Sequence, residues 1–519
     1  MTISVTLTVN ESILARRQLN EISTTITSKP TASAASLKLN PTSNTIQISS
    51  AQPTDTYTSY QRIQSAAFSN IKQDDAYSLA VANRLNGNSD TGIQNELKLL
   101  PDLLESGESS YKQDIRQYSS FRPSNNNGKT EEIDLVGFQD REKKNLANLT
   151  LQLKTKDGDV INFSLNTYQG DGKGEDGYVS GFNGIVVSFE FEGELSAAER
   201  EQIDTFIQKL AQQAEQFFRG NDVDIEQLDL SSFSKFEDIE LSLSGGRAKH
   251  DFSFNYHDDK DTRSIKISLN GDRSELVVDK STLNNEILTK QSQQSYEELL
   301  LKSTKEVHAD RNITELMKDV FALGFKNLAH SNVQSGRQQS PNQTNGDNSL
   351  VGLPDFTFSL NSKNERPNQQ YRPSEYQGFS IDLSLKTKVE KNSVTGKEVL
   401  TQTQSFSLKG AYYSPVGLLQ SPDFDSQTYK YTKLDRTSEH VTQLISQNNK
   451  LISAISTESG ENKTKTIEYE MGKKVDEKTD RSQYDVVQDF TEQARQQSLN
   501  KNLQLLDLVM IDPYQIPQN

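Results

Sequence analysis

Alternation of apolar and polar residues is the most regular pattern in the chain. The segment 149–153 places leucine at every second position, a turn containing Gly158 follows, and the alternation resumes over 161–165. Successive side chains of a strand point to opposite faces of a sheet, so a period of two predicts strands with one buried face. The glycine-containing turn between two such runs predicts a β-hairpin.

The same alternation predicts further strands, separated by turn residues. They lie at about 185–191, 239–243, 252–256, 265–269, 276–278, 356–361, 379–385 and 399–408. Short connections between successive strands favour an antiparallel meander.

One helix is indicated by both of its ends. Ser196 and Glu199 form a capping-box pattern, an apolar stripe with a spacing of three and four residues follows, and Gly220 is placed to end the helix. Spacing alone predicts further helices over 57–86, 296–330, 434–455 and 484–510. The third of these also resembles a short coiled-coil heptad pattern, although an amphipathic helix on a sheet fits it better.

These elements predict an α+β fold in which amphipathic helices pack on antiparallel sheets. Residues 1–130 are expected to be mostly linker around the 57–86 helix, and 131–330 to form an α+β domain. The polar stretch 331–349 has the composition of a disordered linker, and 350–519 is expected to be a second strand-rich region with C-terminal helices. Whether the two strand-rich regions form one sheet or two domains is left open by the pattern.

Composition narrows the possible functions. The chain has no cysteine, which excludes disulfides, thiol catalysis and thiolate metal sites. Its net charge of -16 disfavours nucleic acid and anionic membranes as partners, so a protein partner is the remaining expectation. The N-terminus has no Sec signal pattern and no segment has the length of a membrane helix. We therefore expect a soluble protein that is cytoplasmic or exported by a route without a signal peptide.

A resemblance covers about residues 145–245. The turn at 156–159, the strand ending Phe189-Glu-Phe191, the helix opening at Leu195 and the sequence Phe217-Phe-Arg-Gly220 resemble a segment of uncharacterised Gram-negative bacterial proteins. The resemblance implies a bacterial origin, and it brings no functional residue with it.

Catalytic and cofactor motifs do not fit their required contexts. Gly172–Gly177 matches the spacing of a dinucleotide-binding loop, but a strand follows it and acidic residues surround it, so no cofactor is predicted. None of the five histidines belongs to a zinc motif. A Ser/His/Asp site assembled from distant segments stays possible, because triads are defined by geometry.

Two acidic segments are candidate metal sites. Asp171, Glu175 and Asp176 lie in a glycine-rich loop whose carboxylates suit Ca²⁺, although a solvated loop without a metal is the favoured interpretation. His257–Asp261 lies between two predicted strands, where one imidazole and several carboxylates could bind a metal, but an ordinary hairpin turn is the favoured interpretation.

These observations favour a non-enzymatic binding or structural protein. One alternative is a hydrolase whose carboxylates or Ser/His/Asp groups come from distant segments. The other is a surface module stabilised by calcium bound at Asp171, Glu175 and Asp176.

Overall fold

The computed structural model describes most of the chain beyond residue 96. The described ranges are 45–50, 60–69, 97–107, 109–123, 139–173, 179–221, 223–228, 234–246, 250–281, 286–326, 328, 350–417, 421–448, 450–496, 506 and 508–514. The predicted linker 331–349 lies outside them.

Sixteen strands and five α-helices are formed by these residues. The strands are β1 (Thr45–Ser50), β2 (Tyr60–Ser69), β3 (Ser110–Pro123), β4 (Gln139–Thr155), β5 (Val160–Lys173), β6 (Val179–Glu192), β7 (Phe236–Gly245), β8 (His250–Asp258), β9 (Thr262–Leu269), β10 (Asp272–Asp279), β11 (Phe356–Asn361), β12 (Gly378–Asn392), β13 (Lys397–Ser414), β14 (Tyr429–Gln447), β15 (Lys450–Glu470) and β16 (Lys473–Asp489). The helices are α1 (Leu99–Glu105), α2 (Ala197–Arg219), α3 (Glu286–Glu306), α4 (Arg311–Phe325) and α5 (Thr491–Gln496).

The first of two compact units contains β1, β2, β3 and β6, the greater part of β5, and residues 203–212 of α2. Its strands run in the order β1-β2-β3-β6, and each registered pair is antiparallel. Ile185, Val187 and Phe189 of β6 point to the same side and are buried, as their alternation predicts.

The second unit contains residues 147–162, 193–202 and 213–519. Its strands follow the order β4-β7-β8-β9-β10-β11-β12-β13-β14-β15-β16, so from β7 onward each strand pairs with the next one in sequence. All these registered pairs are antiparallel. Helix α4 packs on β9 and β10, where Gly324 leaves room for the side chain of Leu276.

The predicted α+β class is wrong. Strands account for 54% of the structure and helices for 23%, and the strands form long antiparallel ladders to which a few helices are added. The physical reason is the C-terminal third, where segments with helical spacing form strands that continue the sheet. Tertiary pairing there overrides the local pattern.

The helix predicted from its two ends is confirmed. Ser196 accepts a hydrogen bond from the Glu199 amide, and the Glu199 carboxylate accepts from the Ser196 amide. Gly220 has a φ of 93° and ends the helix in the left-handed conformation.

The helices predicted from spacing alone are mostly not confirmed. Within 57–86, the described part Tyr60–Ser69 is a strand, and 434–455 lies in β14 and β15. The helix over 484–510 is wrong up to Asp489, where β16 ends, and only the short α5 follows directly. The described part of 296–330 contains the end of α3 and the whole of α4, because Asp310 caps a new helix after a turn at His308.

The last three strands are paired over most of their length, and β14–β15 is the longest ladder among the described strands. β14 pairs with β15 from Tyr429 to Gln447, and β15 pairs with β16 from Ile455 to Glu470. No described helix is long and apolar enough to cross a membrane.

Candidate functional site

The predicted acidic loop is only partly within the described residues. Asp171 belongs to strand β5, whereas Glu175 and Asp176 lie outside the described ranges. Calcium binding by these three residues therefore stays a prediction.

The second acidic segment, His257–Asp261, covers the last two residues of β8 and the turn between β8 and β9. The Asp259 carboxylate accepts hydrogen bonds from the amides of Asp261 (2.8 Å) and Thr262 (2.6 Å). These bonds from the backbone amides hold the pKa of Asp259 well below its usual range. An ordinary hairpin turn therefore accounts for the presence of Asp259, whose carboxylate binds the amides of the turn.

His257 has carboxylates on both sides of its ring. Its Nδ1 lies 2.5 Å from Asp238 Oδ1 and its Nε2 lies 3.2 Å from Asp259 Oδ2. The hydrogen bond with Asp238 raises the pKa of His257, with a smaller contribution from Asp259. Glu237, Asp238 and His257 bring potential metal ligands within 4.8 Å of one another. A metal needs a neutral imidazole nitrogen, whereas this arrangement favours the imidazolium.

The neighbouring Asp258 is the centre of a buried ion cluster. It lies 2.9 Å from Arg263 Nε and 3.1 Å from Lys280 Nζ, and the side chains of all three are about one tenth exposed. Burial raises the pKa of Asp258, but Arg263 and Lys280 outweigh it and lower the pKa below its usual value. Arg263 also donates to the carbonyls of Gly324 and Lys326 at the end of α4. The cluster therefore joins β8, β9 and α4 and is structural.

Ser438, His440 and Glu458 form the arrangement nearest to a hydrolytic site. Ser438 Oγ donates to Glu458 Oε1 over 3.1 Å, and His440 Nδ1 lies 3.3 Å from Glu458 Oε2. Tyr484 donates to Ser438 over 3.0 Å. Ser438 and His440 share a face because they are two residues apart on β14.

The order of these contacts does not match a catalytic triad. In a triad the imidazole lies between hydroxyl and carboxylate and accepts the proton of the nucleophile. Here the Glu458 carboxylate accepts from Ser438, and His440 Nε2 has no hydrogen-bond partner among the described residues. Ser438 and His440 are also 5% and 4% exposed, so a substrate does not reach them.

The polar face that carries these residues is covered by the chain's own C-terminal segment. The Gln404 side chain donates to the Val509 carbonyl and accepts from the Ile511 amide (3.1 Å) and the Tyr296 hydroxyl (2.7 Å). The Asp512 amide donates to Glu458 over 3.3 Å. These contacts satisfy buried polar groups within the fold.

A surface pocket of about 380 Å³ lies beside α4. Its lining includes Asp224, Glu315, Lys318 and Asp319 around the apolar Phe252. The pocket gathers three carboxylates around one cation, and its lining contains no histidine. It shows no arrangement suited to catalysis.

The most distinctive surface is the outer edge of β16. This strand pairs with β15 on one side, and no described strand pairs with its other side. Sixteen of its seventeen residues are exposed, and Tyr484 alone is buried. Val475, Val486 and Val487 are 52%, 43% and 68% exposed. A strand with a free edge and two solvated faces offers unpaired backbone groups to another strand.

Sequence reasoning missed this surface because it placed a helix over 484–510. The available signal was composition: the segment 473–489 interleaves valine, threonine and tyrosine with charged residues, and these three are strand-forming types. Alternation in polarity could not reveal β16, because both of its faces meet solvent.

Comparison of the chain with protein-family models, curated proteins and solved structures finds no match.

Proposed function

We propose that the chain is a non-enzymatic binding or structural protein that accepts an extended protein strand along the outer edge of β16. The observation that carries this proposal is the free edge itself, which runs from Lys473 to Asp489 and is exposed on both faces. Addition of a strand to such an edge is a general mode of protein recognition, in which backbone hydrogen bonds supply affinity and side chains supply specificity.

The edge lacks two of the features that usually prevent strand addition. β16 contains no proline, and its one register irregularity lies near its beginning, opposite Glu468 and Tyr469. From Asp476 to Asp489 the ladder with β15 is regular. The remaining protective feature is charge, which discriminates among partners instead of blocking all of them.

The edge strand is also held in place. Tyr484 is the buried residue of β16, and its hydroxyl binds Ser438 on β14, two strands away. A fixed edge favours binding, because less conformational entropy is lost when a partner strand pairs with it.

The hydrolase alternative has less support. Its best constellation, Ser438 with His440 and Glu458, is buried and wrongly ordered for nucleophilic catalysis. The calcium module, the bacterial origin, and export without a signal peptide stay predictions.

A labelled chain tests the proposal, since the absence of cysteine allows a single reactive thiol to be introduced. An environment-sensitive fluorophore is attached at Thr479→Cys on β16, or at Val394→Cys, which is 93% exposed in the β12–β13 turn. The probe is a twelve-residue peptide of alternating threonine and valine with charged ends. The control peptide carries proline at two central positions.

We expect saturable fluorescence change at position 479 with the strand peptide alone, and none at position 394. No response at 479 to any concentration of the strand peptide would contradict the proposal. Turnover of chromogenic ester or glycoside substrates that is lost in Glu458→Gln would establish the hydrolase alternative instead.

A further inference from the structure

The charges along β16 have a symmetry that identifies one partner for its free edge. When two copies of a strand pair in antiparallel fashion around a two-fold axis, residues equally far from the central residue face each other. With Thr479 at the centre, Lys478 faces Asp480 of the second copy, and Glu477 faces Arg481 of the second copy. Each opposite-charge contact occurs twice, and no like charges face each other between Asp476 and Ser482.

Neighbouring registers lack this match. Centring on Lys478 places Asp476 opposite Asp480, and centring on Arg481 places Glu477 opposite Asp485. Like charges directly opposite each other destabilise a pair of strands. Within the regular part of β16, which begins at Asp476, the charges therefore favour the register centred on Thr479 over these two.

The side chains concerned are available at the surface. Lys478 and Asp480 form an ion pair of 2.8 Å within one chain and remain 70% and 61% exposed, and Arg481 is 63% exposed. Within one chain, Arg481 lies 2.8 Å from Glu461 and Glu477 lies 2.8 Å from Lys465, so pairing would join these contacts into a charge network across the edge. Networks of this kind are more effective than isolated surface pairs.

We infer that two copies of this chain associate through their β16 edges, antiparallel and centred on Thr479. This inference rests on the proposed function, because it names the strand that the edge accepts. The regular overlap is short and polar, so the association is a weak one that forms at high protein concentration. Complementary charges select the partner more than they add affinity.

Exchange of charges gives a sharp test with a built-in rescue. Lys478→Asp places acidic groups opposite each other in the dimer, and Asp480→Lys places basic groups opposite each other. Each full-length variant alone is expected to dimerise at least about tenfold more weakly than the parent chain by sedimentation equilibrium. An equimolar mixture of the two variants restores complementarity at every contact, as does the double variant Lys478→Asp/Asp480→Lys, and both are expected to dimerise like the parent.

A distance measurement fixes the register. A spin label at Ser482→Cys in each copy lies three residues from the centre, so the two labelled backbones are about 20 Å apart in the inferred dimer. A label at Val394→Cys serves as the control and is expected to show no such distance. Circular dichroism spectra that match the parent verify that every variant is folded.

The outcomes separate the two proposals. A chain that stays monomeric at millimolar concentration, or variants whose dimerisation does not change, would overturn self-pairing. If the threonine–valine peptide still binds at Thr479→Cys in that case, strand addition stands and only the identity of the partner is wrong. If neither the peptide nor a second copy binds, both proposals fail.

Discussion

The phenol ring of Tyr484 lies over the backbone of Gly460, the residue directly opposite it in the β15–β16 ladder. A β-carbon at position 460 would lie 2.5 Å from the Cζ atom of that ring, so only glycine leaves space for it. The ring is buried although every other residue of β16 is exposed, and its hydroxyl reaches Ser438 and Glu458. This pair fixes the register and the position of the edge strand.

We expect Tyr484→Ala to lower the free energy of unfolding by about 3 kcal/mol, because it removes a buried aromatic ring and leaves Glu458 less satisfied. Tyr484→Phe keeps the ring and loses only its hydrogen bonds, at a cost of about 1 kcal/mol. Urea unfolding measures both. Equal stability of the alanine variant and the parent would show that the ring does not anchor β16.

Gly460→Ala tests the same contact from the other side. The added methyl group must displace the Tyr484 ring, so we expect this variant to be destabilised although alanine suits strands better than glycine. The double variant Gly460→Ala/Tyr484→Ala removes the clash, and the two effects should therefore not be additive in a double-mutant cycle. Additive effects would contradict the packing described.

Gln404 holds the C-terminal segment against the sheet. Gln404→Met keeps the volume but leaves the Tyr296 hydroxyl and the Ile511 amide without their acceptor, which we expect to cost about 2 kcal/mol. Limited proteolysis should then cleave near residues 506–514 faster than in the parent. Tyr296→Phe is the milder control, since it removes one of these groups. Unchanged cleavage would mean that Gln404 does not hold the segment.

Asp258→Asn leaves Arg263 and Lys280 buried without their shared anion, and we expect a loss of about 3 kcal/mol in the free energy of unfolding. Because the pKa of Asp258 is lowered in the folded chain, its contribution is present above the ordinary aspartate pKa and is lost as the pH falls through the lowered value. The control is Glu390→Gln, an exposed partner of Lys388, for which no measurable change is expected.

His257 makes the stability of the fold depend on pH in the direction opposite to that of Asp258, because the pKa of His257 is raised. Its pKa is raised by Asp238 and Asp259, so the charged imidazole stabilises the fold below about pH 6.5, and this stabilisation is lost as the pH rises through the raised value. The ring is one third exposed, so solvent reduces the effect. We expect His257→Gln to lower the melting temperature more at pH 6 than at pH 8.5. Asp238→Asn should weaken this pH dependence, and a difference that grows with pH would contradict the assignment.

The sequence revealed the strands that have one buried face. β4 to β10 alternate cleanly, because leucine, isoleucine and phenylalanine point to the core and polar residues point to water. The capping box at Ser196 and Glu199 revealed α2 for an equally local reason. Both signals lie within a few residues of sequence.

The candidate site could not be found in this way. β16 has no buried stripe, so its spacing of apolar residues carried no information, and the helix predicted over 484–510 was wrongly begun within this strand, at 484–489. An edge is a property of strand order, which depends on pairings between distant segments. The buried meeting of Ser438, His440 and Glu458 likewise depends on the β14–β15 register.

Hydrogen exchange of the β16 backbone tests the central claim most directly, because strand addition must protect amides on the outer edge of that strand. Exchange is followed by mass spectrometry in the full-length chain at low and high protein concentration, and again with the threonine–valine peptide. The account predicts protection that increases between Asp476 and Ser482 on concentration and on peptide addition, with little change elsewhere. Exchange of this segment that stays the same under both conditions would contradict it.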